Sequence, residues 1–143
     1  MMSIIYAIIS GISMSLQGVF NTRLSEKIGI WETNFIVQAS GLVLTLIILI
    51  LFGDGNLKNI KNVNKLYLFG GAIGVIIIFT VMKSIGAMGA TYGIAIILIA
   101  QLLAAAFIDA FGLFGSNKIP FNSKEFIGVF IMIVGVIIFK WKV

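Results

Sequence analysis

The feature that most constrains this chain is the length of its uncharged apolar runs. A helix rises about 1.5 Å per residue, so about 20 mainly apolar residues cross the hydrocarbon core of a bilayer. Five segments are read as spans on that ruler: residues 2–22, 31–52, 66–85, 91–111 and 125–140. The connections agree. GDGNLKNIKNVNK (53–65) is rich in Gly, Asn and Lys and reads as a loop. GLFGSNKIPFNSK (112–124) holds the only proline, Pro120, and places Ser123 ahead of Glu125 in a helix N-cap region. The expectation is an all-α, polytopic membrane protein with one transmembrane domain over residues 1–143.

Composition decides the solvent. The chain is 60% hydrophobic and 10% charged, whereas a soluble domain is about 45–50% apolar and roughly 25% charged. So few charges cannot cover that much apolar surface in water. The aromatic residues Trp31, Tyr67, Tyr92 and Trp141 fall at span ends, where interfacial belts form. Ahead of Arg23 there is no Lys or Arg, so the first segment lacks the charged start of a secretory signal and reads as a retained helix.

Several function classes drop out. Cysteine and histidine are both absent, which removes disulfides, thiol nucleophiles, imidazole bases and nearly every zinc or transition-metal constellation. No nucleophile–base pair or phosphate-binding loop is present, so neither an enzyme nor a cofactor is expected. The net charge of +5 comes from basic residues placed singly beside apolar runs. Such residues anchor spans at the membrane interface and do not point to nucleic acid.

Charge also bears on orientation. Five spans put the termini on opposite sides. One side then carries Lys58, Lys61, Lys65, Lys118 and Lys124, and the other Arg23, Lys27, Lys83, Lys140 and Lys142. Orientation follows an imbalance of Lys and Arg between sides, and here there is none. Insertion in both directions is expected, and two opposed copies could pair about an axis in the membrane plane. A fixed orientation imposed by a partner is the alternative.

Against this apolar background a few polar residues stand out. Ser10, Ser13, Gln17 and Asn21 form one stripe on the first helix, and Gly11, Ser15, Gly18 and Thr22 a thin one beside it. The second helix adds Asn34 and Gln38. The fourth has Gln101 near its middle and Asp109 eight residues on, with Ala104, Ala105 and Ala106 between them. Amides facing lipid would leave donors and acceptors unpaired, so they face protein, water or a ligand. Gln17, Gln101, Asn21 and Gln38 are the candidate substrate contacts, Gln17 and Gln101 foremost; interhelical hydrogen bonding without a ligand is the alternative. Asp109 is a possible ion- or proton-linked residue, or a solvated carboxylate at a span end. The glycine pairs Gly70/Gly74, Gly89/Gly93 and Gly128/Gly135 read as helix-packing positions.

These residues carry a resemblance. Gly11, Gln17, Asn21 and Leu24 in GISMSLQGVFNTRLS, Gly41 in NFIVQASG, GGAIG (70–74), IGAMGA (85–90), AQLLAAAFIDAFGLFG (100–115) and the closing Gly128 and Gly135 occur in order. Together they resemble a short, single-repeat YdcZ-like member of the drug/metabolite transporter superfamily. Gln17 with Asn21, and Gln101 with Asp109 and Gly112, are its specific pieces. Ala100 and Ala110 depart from it, where Gly and His would be expected.

The resemblance implies a five-helix half of a ten-helix inverted-repeat fold, completed by an antiparallel homodimer or by a similar short protein. Transport of a small polar solute by alternating access across a prokaryotic inner membrane is the expected function. A dimeric channel and a non-transporting membrane subunit are the alternatives.

Overall fold

The computed structural model describes residues 2–141 and, among them, contains helices and no strand. Its long helices are α1 (Met2–Ile28), α2 (Ile30–Phe52), α3 (Gly70–Met88), α4 (Ala90–Phe111) and α5 (Ser123–Lys140). Runs of Ile, Leu, Ala and Met coil this way because lipid offers no hydrogen bonds, so each segment must pair its own N–H and C=O groups. The all-α expectation holds. Among the described residues four stretches are long and apolar enough to cross a membrane: Met2–Ile28, Ile30–Phe52, Lys65–Met88 and Ala90–Phe111. The helix expected as a fifth span, α5, has 18 residues and carries Lys124, Glu125 and Lys140 near its ends.

Element ends differ from the expected ones for local reasons. α1 continues past Thr22 to Ile28, with Arg23 Nη1 and Glu26 Oε2 paired at 3.1 Å one turn apart on its exposed surface. The 53–65 connection is not plain loop. Asn56 Oδ1 accepts the Lys58 N–H at 3.0 Å and starts a 3-10 helix, Leu57–Asn62. Asn64 Oδ1 accepts the Leu66 N–H at 3.0 Å and starts another, Lys65–Phe69, so α3 begins at Gly70 and not at Leu66. α5 starts one residue after Asn122, whose N–H meets the Glu125 carboxylate at 2.8 Å; Asn122 is the N-cap, within the expected N-cap region. Lys142, counted above among the basic residues, lies outside the described residues.

α1 and α2 are separated by the single residue Gly29, with φ +101, and α3 and α4 by Gly89, with φ +80. Only glycine adopts such backbone without strain. At the first corner the Gly29 carbonyl accepts both the Thr33 N–H (3.1 Å) and the Thr33 hydroxyl (2.8 Å), which starts α2.

The chain forms two compact units, one up to Gly86 and one from Ala87. The first buries little hydrocarbon: Met82 and Ile85, with Gly18, Asn21, Thr22, Thr33 and Asn34. Most large apolar side chains point outward, as a lipid-facing surface requires. In the second unit α5 lies antiparallel to α4 along its length. At one end the Ile119 N–H donates to the Asp109 carbonyl at 2.9 Å; at the other, Lys140 Nζ sits 4.5 Å above the Tyr92 ring.

Candidate functional site

The polar interior of the first unit is built where α3 meets α1 and α2. On α1 the small-residue stripe, not the amide stripe, faces α3. A Cβ on Gly18 would stand 2.8 Å from Ile85 Cδ1 and 3.2 Å from Val81 Cγ1, and Thr22 Cγ2 lies beside Gly86. Asn21, from the amide stripe, is buried next to this contact at 7% exposure. Ser10, Ser13 and Gln17 remain exposed.

The α2–α3 contact is an antiparallel ladder of three rungs. Trp31 stacks on Phe79 with centroids 4.8 Å apart and planes 15° apart. Asn34 Nδ2 donates to the Val75 carbonyl at 2.8 Å. Gln38 Nε2 lies 3.3 Å from where a Cβ on Gly74 would stand, so glycine makes room for the amide. Trp31, Asn34 and Gln38 are spaced i, i+3, i+7 and so share one helical face. That spacing is the signal by which the seam could have been found. Trp31 was legible only as an interfacial aromatic, and Thr33, fully buried, carried no signal of its own.

Asn34 has a further property. Its Oδ1 is buried and accepts no hydrogen bond from the protein. A buried acceptor without a donor costs about 1–3 kcal/mol.

In the second unit Gln101 is exposed on α4. Asp109 sits in the last turn of α4, half-buried, one turn before the left-handed Gly112 that ends the helix. With Glu125, Ala105, Gly128 and Val129 it lines a cleft of about 530 Å³ between α4 and α5. Asp109 therefore belongs to a helix end, not to the middle of a span. Among the described residues no group of three or more carboxylates is placed to hold a metal ion.

Of the predicted packing glycines, Gly74 has a side chain close by, whereas a Cβ on Gly70, Gly89, Gly128 or Gly135 would meet nothing within 4 Å; Gly18 and Gly86, outside that set, do have side chains close by.

A family model described as "Putative inner membrane exporter, YdcZ" matches residues 2–138. No curated protein matches the chain, and no solved structure does.

Proposed function

The chain belongs to the YdcZ family of inner-membrane exporters, so it is a multi-pass membrane transporter rather than an enzyme, and on that premise we propose that it moves a small polar solute by alternating access as a dimer of opposed copies. A similar short protein could replace one copy. All five helices cross in this reading, because α5 keeps alongside α4 from the Asp109 end to Tyr92. Gln17 and Gln101 are the principal solute contacts, Asn21 and Gln38 secondary ones, and Asp109 an ion-linked group at the mouth.

The observation that carries this reading is the exposure of Gln17 and Gln101 on helices otherwise clothed in hydrocarbon. Lipid supplies neither donor nor acceptor, so each amide needs a second protein surface or a polar path. A second copy of the chain supplies both. The even distribution of Lys and Arg supports an opposed arrangement.

Topology tests the pairing directly. Asn59 is exposed in the 53–65 connection, and the chain has no cysteine of its own. With Asn59→Cys, an impermeant thiol reagent applied to intact cells is expected to label about half of the molecules, the rest only after lysis. Labelling that is all or none would remove the homodimer of opposed copies. For the solute path, Gln17→Ala combined with Gln101→Leu is expected to abolish proteoliposome flux while the dimer still assembles. Undiminished flux in that assembled variant would remove the amide-lined path.

A further inference from the structure

Among the described residues of the first unit four polar ones are buried: Asn21, Thr22, Thr33 and Asn34. Three of these residues spend a donor on backbone. The Thr22 hydroxyl donates to the Gly18 carbonyl at 2.7 Å and the Thr33 hydroxyl to the Gly29 carbonyl at 2.8 Å. Each hydroxyl has a single proton, so only lone pairs remain. Asn34 is oriented just as firmly. The Val75 carbonyl can only accept, so the amide must turn its Nδ2 toward it, 2.8 Å away, and its Oδ1 elsewhere. That oxygen is buried and finds no donor in the protein. What Asn34 Oδ1 lacks is a hydrogen-bond donor.

We propose that Asn34 Oδ1 is the binding point for a donor group on a neutral solute, a hydroxyl of a polyol being the type. This deepens the reading of a polar-solute transporter and rests on it. Charge narrows the class. A carboxylate or phosphate group has no proton to donate and would bring lone pairs against the Asn34 oxygen, which repels. An ammonium would be buried among uncharged acceptors, because none of the four residues carries a countercharge; a cation so placed is strongly disfavoured. A neutral hydroxyl meets neither objection.

In the present conformation Oδ1 is covered, so a solute reaches it only when α2 and α3 part. That seam is closed by the Trp31–Phe79 stack and by Gln38 against Gly74. Trp31 sits one turn before Asn34, so occupation of the site changes the surroundings of an intrinsic fluorophore.

The test uses the full chain purified in detergent, with Trp141→Phe so that Trp31 is the sole tryptophan. It is titrated with xylitol and with xylonate, which differ by a carboxylate in place of a terminal hydroxymethyl group. A saturable change in Trp31 emission is expected with xylitol, with xylonate weaker by about tenfold or more and the xylitol response lost in Asn34→Leu. Asn34→Ala serves if the leucine variant does not assemble as judged by gel filtration. No saturable response to xylitol, equal or tighter binding of xylonate, or a response untouched by either Asn34 variant would overturn the proposal. Xylitol flux in proteoliposomes separates the two readings. Asn34-dependent binding without flux sinks transport and keeps this site; flux indifferent to Asn34 does the reverse.

Discussion

Gly29→Ala is expected to destabilise the protein by about 3 kcal/mol, because two costs coincide at one corner. With φ +101 and ψ 157 the residue occupies backbone that is essentially reserved for glycine, a strain of about 1–3 kcal/mol for alanine. The new methyl would also collide with the Glu32 carboxylate, which folds back over the corner. Gly89 provides the control. It has nearly the same backbone, φ 80 and ψ 161, but nothing within 4 Å of a Cβ. Gly89→Ala should therefore show the strain alone. Titration with SDS in mixed micelles, followed by circular dichroism, measures both. Adding Glu32→Ala to Gly29→Ala should recover the difference between them. Equal losses at the two corners would mean that the Glu32 contact contributes nothing.

Gly18→Leu is expected to separate α1 from α3. A Cβ at this position already stands 2.8 Å from Ile85 Cδ1, and Ile85 is buried. In Gly18→Ala the terminal methyl of Ile85 can turn aside, and alanine gains about 0.8–1.0 kcal/mol over glycine in helix propensity, so the net change should be small. Three further carbons have nowhere to go. The leucine must force the helices apart, open the Thr22–Gly86 contact and expose Asn21, at a cost of about 3 kcal/mol or more. The expected result is a graded series in the same SDS titration, alanine near wild type and leucine largely unfolded. Shortening the opposing residue with Ile85→Ala should partly restore the leucine variant. A leucine variant as stable as wild type would show that the Gly18 contact is not close in the membrane.

Much of the architecture was legible because lipid simplifies the problem. Where every backbone group must pair within its own segment, an apolar run such as QASGLVLTLIILILF becomes a helix almost regardless of its neighbours. Ends were less legible. The 3-10 helices after Asn56 and Asn64 depend on single side chains that turn back to an N–H two residues on, and α1 runs past its apolar limit into a polar segment with an Arg23–Glu26 pair. Hydropathy is blind to both. For the candidate site, the cost of an amide in lipid turned Asn21, Asn34 and Gln38 toward protein, water or a ligand, and the same cost singled out Gln17 and Gln101. It did not reveal which partner each would take.

What the sequence determined by itself was the solvent, the helices and the family, since each follows from local composition or from motifs in order. Tertiary structure decided which stripe of α1 is covered, that Trp31 meets Phe79, and that Asn34 spends its N–H on Val75 while its oxygen stays unpaired. The reason is geometric. A helix repeats its pattern every 3.6 residues and shows several usable faces. Which face is buried depends on the close approach of a distant segment, here Ile85 to Gly18 and Gln38 to Gly74, and no local property of either segment contains that distance.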